Sequence, residues 1–299
     1  MEPRTDLAME IREKFTQDNV EISGVELIKN RYENTSIEVT TVRILDDTGA
    51  KKMGKPVGTY VTIESPFMEY DDEEKKSTSV CLAGELKKIL KGRTKDGIFV
   101  AGLGNRHITP DMLGPLVTDN LFITRHIYKE MGQEVFGDNK PVKTGAIAPG
   151  VMSQTGVEAA DILEGIVNDL DISCLIVIAA LAARNVSRLN TTIQITDTGI
   201  CPGSGVGNHR KGITKESLNI PVIAIGVPTV VDAFTIVNDS LRKYMGDVKV
   251  TGEIEEVINK ISTSDTDNMI VTPRNIDEAV RNMAQVLSDA LNSIISNEA

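Results

Sequence analysis

The stretch Cys174-Leu175-Ile176-Val177-Ile178-Ala179-Ala180-Leu181-Ala182-Ala183 is the longest uninterrupted apolar run in the chain. Its length is half of the roughly 20 residues that a membrane-spanning helix requires. The run instead predicts a strand that is buried on both sides. Strands of this kind occur in parallel sheets that carry helices on each face.

Three further apolar runs, at 98–101, 193–195 and 222–225, end in Gly, Asn, Pro or polar residues and alternate with stretches of helical period. The predicted helices cover 113–130, 156–169, 230–244 and 275–295. Segments 36–44 and 57–64 alternate and are rich in Val, Ile and Thr, so they predict an antiparallel pair joined by a turn at 46–49. Together these patterns predict an α/β protein with a mostly parallel central sheet, flanking helices and an additional antiparallel β element.

Composition narrows the class of protein. The 299 residues include 32 Lys and Arg against 43 Asp and Glu, which gives a net charge of −11. This sign disfavours a nucleic-acid partner or an anionic membrane. The N-terminus shows no secretory signal, and Cys81, Cys174 and Cys201 have no metal-type spacing and leave one cysteine unpaired. We therefore expect a cytoplasmic protein without a cofactor.

The segment after the 98–101 run offers a candidate carboxylate. In Gly102-Leu103-Gly104-Asn105-Arg106-His107, a third glycine is missing where a dinucleotide fingerprint would need it. Asp111 follows at the start of the predicted helix, near free helix N–H groups. It is either a catalytic group or a plain N-cap, and the local pattern favours the cap.

A second polar concentration spans 197–211 and is rich in glycine. It either forms a wall of a cleft or grips a substrate, with His209, Arg210 and Lys211 supplying charge. His107, His126 and His209 make no i, i+4 pair and lie near no cysteine at ligand spacing, so no metal site is predicted. A Gly-x-Ser-x-Gly nucleophile elbow is also missing from the sequence.

Five long motifs resemble those of the germination proteases of spore-forming bacteria. They are Gly102-Leu103-Gly104-Asn105, Thr109-Pro110-Asp111-Met112-Leu113-Gly114-Pro115, Pro149-Gly150-Val151-Met152, Pro202-Gly203-Ser204-Gly205-Val206-Gly207-Asn208 and Pro221-Val222-Ile223-Ala224-Ile225-Gly226-Val227-Pro228-Thr229-Val230-Val231-Asp232-Ala233. The resemblance implies an atypical aspartic endopeptidase that degrades small acid-soluble spore proteins in the spore core. It also implies a phosphorylase/hydrolase-like α/β fold similar to that of hydrogenase-maturation endopeptidases, and a tetrameric zymogen.

The resemblance assigns the first catalytic aspartate to Asp111. The second lies in a Val/Ile-Asp-Ala-Leu-Ala-Ala-Arg motif, which here reads Ile178-Ala179-Ala180-Leu181-Ala182-Ala183-Arg184, so Ala179 replaces it. Two neighbouring carboxylates have pKa values that are pushed apart, so that one acts as a base and the other as an acid, whereas alanine has no group that can do either. We expect this chain to be inactive or nearly so, unless Asp197 or Asp232 supplies the second group.

The family cleaves after an acidic residue that precedes a large apolar residue, and Thr5-Asp6-Leu7-Ala8-Met9-Glu10 has this order. The resemblance therefore implies self-processing between Asp6 and Leu7, with a propeptide-like segment at 1–6 and a single endopeptidase domain at 7–299. A pocket for the acidic side chain needs a basic group, for which Arg184, His209, Arg210 and Lys211 are the candidates.

Two interpretations from other classes stay open. One is a non-catalytic protein of the same fold that binds an anion or a peptide. The other is a metal-sensing maturation protease, which the lack of a matching histidine disfavours.

Overall fold

The computed structural model describes residues 5–16, 22–32, 34–203, 210–237, 240 and 269–297. Within these ranges the strands are β1 (Val25–Arg31), β2 (Glu38–Ile44), β3 (Gly58–Glu64), β4 (Ile98–Gly102), β5 (Thr144–Ile147), β6 (Cys174–Ala183), β7 (Thr192–Thr196), β8 (Val222–Asp232) and β9 (Ile270–Val271). They form one sheet in the order β1-β2-β3-β7-β8-β6-β4-β5, with β9 paired to β8.

The sheet has a parallel and an antiparallel half, which meet at β8. Strands β8, β6, β4 and β5 are parallel neighbours, whereas β1, β2, β3 and β7 are antiparallel and reach β8 through β7. The predicted α/β class is confirmed. The antiparallel part is larger than the predicted pair because β1 and β7 extend it on either side.

Helices cover both faces of the sheet. They are α1 (Ala8–Thr16), α2 (Asp47–Met53), α3 (Asp72–Leu90), α4 (Leu113–Asp119), α5 (Arg125–Met131), α6 (Met152–Thr155), α7 (Ala159–Asp169), α8 (Lys215–Leu218) and α9 (Ile276–Ile295). Ile176 and Ile178 of β6 join the core formed with α3, α4 and α9, while Leu175, Val177 and Ala179 face the core that includes α7. The alternation buries β6 on both sides, as its composition predicts.

The helix predicted over 113–130 is two helices, because α4 ends at Asp119 with Asn120 as its C-cap. Asn292 of α9 replaces the missing helical bonds: its Oδ1 accepts a hydrogen bond from the N–H of Phe122 at 2.8 Å, and its Nδ2 donates to the carbonyl of Asn120 at 2.9 Å. A tertiary contact thus compensates for the break.

Two other boundaries differ from the prediction. The helix predicted over 230–244 is wrong at its start, since residues 230–232 extend β8 and pair with β6 and β9. Residues 233–237 and 240 are helical as predicted, and residues 238, 239 and 241–244 lie outside the described ranges. The segment predicted as a turn at 46–49 instead opens α2, with Asp46 as its N-cap accepting from the N–H of Gly49 at 2.9 Å. In the described part of the chain, no helix is both long and apolar enough to cross a membrane.

Candidate active site

Asp111 ends a 3₁₀ turn (Thr109–Asp111) between β4 and α4. Its N–H donates to the carbonyl of Ile108 at 2.8 Å, and its Oδ2 accepts a hydrogen bond from the N–H of Asn105 at 2.7 Å. The N-cap position of α4 is Met112, whose side chain makes no capping hydrogen bond. The interpretation of Asp111 as a plain N-cap is therefore wrong, and its carboxylate belongs to the loop that follows β4.

Glycines allow this loop to lie close to the turn. Gly104 has φ +124°, and a Cβ there would lie 1.9 Å from the backbone oxygen of Asp111. A Cβ on Gly114 would lie 2.4 Å from the backbone oxygen of Leu103. Both positions require glycine because backbone atoms occupy the space of a side chain.

The environment of Asp111 favours its protonated form. Burial raises the pKa of the Asp111 carboxyl above its ordinary value, and the hydrogen bond from the Asn105 N–H opposes that shift. A carboxyl whose pKa is raised holds its proton to higher pH than an ordinary carboxyl, which suits a general acid.

Ala179 lies in β6, at the same cavity as Asp111. The N–H of Leu103, at the end of β4, donates to the carbonyl of Ile178 at 2.8 Å, which ties the Asp111 loop to the strand segment that carries Ala179. A cavity of about 430 Å³ is lined by both Asp111 and Ala179, and by Asp6. We call it the carboxylate cavity. The structure thus brings together the two positions that the resemblance assigns to the aspartate pair.

Asp197 and Asp232 are not among the residues that line this cavity. The Oδ1 of Asp197 accepts a hydrogen bond from the N–H of Thr59 at 2.8 Å, and the Oδ1 of Asp232 accepts one from the N–H of Thr235 at 3.1 Å. Asp197 thus holds the backbone of β3 and Asp232 holds backbone three residues further along the chain, and neither lines the cavity with Asp111.

The N-terminal segment docks onto the end of β6. The N–H of Asp6 donates to the carbonyl of Ala182 at 3.0 Å, and the N–H of Ala182 donates to Oδ2 of Asp6 at 2.9 Å. Leu7 is fully buried and packs against Leu181, Ala183 and neighbouring apolar residues. Backbone pairing and apolar burial together hold the predicted cleavage site, Asp6–Leu7, against the strand that carries Ala179.

Glu10 anchors the same segment and is only 3% exposed. It accepts hydrogen bonds from the N–H groups of Arg184 at 2.8 Å and Asn185 at 2.9 Å. It also forms an ion pair with Arg188, with 3.2 Å between Oε1 and Nη1. A buried carboxylate needs such partners, and here they come from the residues just beyond β6.

Lys55 and Gln194 are site residues that the sequence analysis missed. The carbonyl of Asp6 accepts hydrogen bonds from Lys55 Nζ at 2.9 Å and from Gln194 Nε2 at 3.2 Å. Both side chains line a second cavity of about 350 Å³, which Asp6 also lines and which we call the lysine cavity. Burial lowers the pKa of Lys55 below its usual value. The carboxamide of Gln194 inside an apolar strand run was a usable signal, whereas Lys55 had none.

The candidate basic residues for the pocket of the acidic side chain lie in different parts of the structure. Arg184 directly follows β6, two residues beyond the Ala182 that holds Asp6. Arg210 and Lys211 line the carboxylate cavity, but Arg210 is 3.4 Å from Glu158 and Lys211 pairs with acidic residues of α7. His209 lies outside the described residues.

The glycine-rich stretch is described as far as residue 203 and again from residue 210. Cys201, Pro202 and Gly203 line the carboxylate cavity, so this part of the glycine-rich stretch forms a cleft wall. Across the described ranges, His, Cys, Asp and Glu side chains form no group of three or more that could hold a metal ion.

Comparison with known proteins gives a consistent result. The sequence model of the germination protease family matches residues 2–253. The chain is 42% identical to a germination protease of Caldanaerobacter subterraneus, over 97% of this chain and 93% of that protein. It is 36% identical to the germination protease of Bacillus subtilis, over 98% of this chain and 93% of that protein. A [NiFe] hydrogenase maturation protease from Thermococcus kodakarensis matches 69% of this chain and 98% of its own at 14% identity, with a TM-score of 0.35.

Proposed function

The chain belongs to the germination protease family, and from this premise we propose that it is built as an endopeptidase that begins the degradation of small acid-soluble spore proteins inside the germinating spore. The proposal extends to an aspartic mechanism and to cleavage after an acidic residue. One observation carries it: Asp111 and residue 179 line the same cavity, which Asp6 also lines.

The proposed chemistry needs two carboxyl groups. Two like-charged neighbours split their pKa values, so that one group deprotonates the attacking water while the other donates a proton. Burial already favours a protonated Asp111, which suits the acid. An aspartate at position 179 would then supply the base, and Ala179 leaves the pair incomplete. We therefore propose that this chain is a disabled form of the enzyme.

The contacts of the N-terminal segment support the proposal that the chain is a zymogen. Asp6 is held by Ala182, its carboxylate accepting from a backbone N–H, and Leu7 is buried. The segment therefore resembles a bound substrate with an acidic residue before the cleaved bond. The proposed self-processing releases residues 1–6. A tetrameric zymogen is part of the same proposal, and sedimentation velocity of the purified chain tests it.

Restoring the second carboxylate tests the aspartate pair. The chain as written, Ala179→Asp and Ala179→Asn are each incubated with a small acid-soluble spore protein at mildly acidic and at neutral pH, and mass spectrometry follows the substrate and the N-terminus. We expect only Ala179→Asp to cut after acidic residues and to lose residues 1–6. The asparagine variant matches the size and polarity of aspartate without its charge, so it separates chemistry from packing.

Two results would contradict the proposal. Equal cleavage by the chain as written would show that residue 179 is not catalytic. Cleavage by Ala179→Asp that persists when Asp111 is also changed to Asn would remove Asp111 from the mechanism, because losing one member of such a set costs several orders of magnitude.

A further inference from the structure

The carbonyl of Asp6 has two side-chain donors that lie far away in sequence. Lys55 Nζ donates to it at 2.9 Å, and Gln194 Nε2 donates at 3.2 Å. Gln194 also accepts a hydrogen bond through Oε1 from the N–H of Ala8 at 2.7 Å. The carboxamide thus grips the backbone on both sides of Leu7.

These contacts involve backbone atoms of the bound segment. The acidic side chain of Asp6 is received separately, by the N–H of Ala182 at 2.9 Å. Lys55 and Gln194 therefore recognise a peptide carbonyl and an N–H whatever side chains flank them. Asp6 itself lines both the carboxylate cavity and the lysine cavity, so it separates Asp111 and residue 179 from the two donors.

We propose that Lys55 and Gln194 are the carbonyl donors of the cleavage site, which hold the oxygen of the residue before the cut bond and stabilise the negative charge that develops on it. This inference rests on the proposed function, since it assumes that the bond between Asp6 and Leu7 is the one cut. It adds two residues to the reaction, because the aspartate pair alone provides no hydrogen-bond donors for the oxyanion.

The step balances as an ordinary hydrolysis. An aspartate at position 179 takes a proton from a water whose oxygen adds to the carbonyl carbon of Asp6, and the carbonyl oxygen becomes an oxyanion held by Lys55 and Gln194. Asp111 donates its proton to the nitrogen of Leu7 as the bond between that carbon and the nitrogen breaks, which leaves a carboxylic acid on Asp6 and an amine on Leu7. The new carboxylic acid gives its proton to the amine, and the proton on residue 179 returns to Asp111. The products are a carboxylate on Asp6 and an α-ammonium group on Leu7. Donors aimed at the developing charge accelerate such a step because they are oriented before it begins.

The fold holds the backbone of both donor residues in place. Helix α2 ends at Gly54, which has φ 60°, and the N–H of Lys55 then donates to the carbonyl of Ala50 at 3.3 Å. Gln194 lies in the middle of β7, where Gln194 pairs with Gly226 of β8, and is 7% exposed. A helix end and a central strand thus fix the backbone positions from which the two side chains reach the carbonyl.

The test uses the full chain with Ala179→Asp, which is expected to process itself. Lys55→Met and Gln194→Glu are added singly; glutamate keeps the acceptor for the Ala8 N–H but cannot donate to the Asp6 carbonyl when it is ionised. The first-order rate of loss of residues 1–6 is measured by mass spectrometry. Hydrogen exchange over residues 7–10 is measured in the same variants without Ala179→Asp, so that docking is read on an uncleaved chain. Lys52→Met removes an exposed lysine of α2, the helix that precedes Lys55, and serves as the control.

We expect each donor variant to slow self-processing by about 10²- to 10³-fold, the loss known for one oxyanion donor, while exchange protection changes less than about tenfold and Lys52→Met behaves as its parent. An unchanged rate overturns the inference but leaves the aspartate pair intact. A rate that falls only in proportion to protection also overturns it, because the residues then merely dock the segment. If Ala179→Asp cuts spore proteins but not its own chain, the inference fails alone; if it cuts neither, the proposed function fails with it.

Discussion

Replacing Glu10 by alanine is expected to release the N-terminal segment from the end of β6. Glu10 is 3% exposed and holds the ion pair with Arg188 together with two backbone N–H groups at 2.8 and 2.9 Å. Alanine removes the acceptor of these donors and of the Thr5 hydroxyl, which also donates to Glu10. The cost falls on the docked state alone, because water satisfies the same groups once the segment has left.

The magnitude follows from the partners. Removing one member of a buried ion pair costs about 3–5 kcal/mol. Arg188 keeps a second partner, since its Nε lies 3.2 Å from Oε1 of Glu64, so the lower limit of about 3 kcal/mol applies. Because each 1.36 kcal/mol corresponds to a factor of ten, docking should weaken by about 10²-fold. If the segment unfolds only together with the sheet, the same energy lowers Tm by about 5 °C for a chain of this length.

Hydrogen exchange over residues 5–12 measures undocking of the segment, and a thermal melt measures unfolding of the whole sheet. Both use the chain with Ala179, which is expected to keep its N-terminus. Glu26→Ala is the matched control, because Glu26 pairs with Arg43 at 3.8 Å with both side chains about half exposed and such surface pairs contribute little. A Glu10→Ala chain whose protection falls less than threefold and whose Tm equals that of the control would refute the reasoning.

Three further predictions concern the same region. Since burial raises the pKa of Asp111, its contribution to stability is lost as pH rises from the ordinary carboxyl range through the raised pKa. In urea titrations the stability of Asp111→Asn relative to its parent should therefore increase as pH rises above the ordinary carboxyl range, and a difference that is constant with pH would contradict this. Gly104→Ala should lower the free energy of unfolding by more than about 1 kcal/mol and displace Asp111, because its Cβ would lie 1.9 Å from a backbone oxygen. Gly165→Ala in α7 is the control, since its Cβ would meet nothing within 4 Å and the change should be neutral or stabilising. Equal urea midpoints for the two variants would argue against the contact at Gly104. Leu7→Ala removes a fully buried side chain and should cost about 2–5 kcal/mol of docking or folding free energy, seen as faster exchange or a lower midpoint; wild-type behaviour in both would exclude a packing role.

Local patterns predict the central strands of the sheet well because burial on both faces leaves a direct trace in composition. The apolar runs that predict β4, β6, β7 and β8 correspond to strands, and the predicted C-terminal helix is found as α9, Ile276–Ile295. The boundaries that fail depend on distant partners. Asn292 caps the break after α4, and β9 extends β8 past the predicted helix start. Periodicity cannot register a hydrogen bond formed across 170 residues.

The sequence by itself determined the α/β class, the family, Asp111 as a candidate catalytic carboxylate and Ala179 as the departure from the family pattern. These are properties of residue type and order, which a motif preserves. Only the tertiary structure decided that Asp111 and Ala179 share a cavity, that Asp197 and Asp232 lie elsewhere, and that Lys55 and Gln194 meet the carbonyl of Asp6. The reason is physical: a hydrogen bond between residues 49 or 188 positions apart forms when the sheet order brings three chain segments together, and no local signal encodes that order.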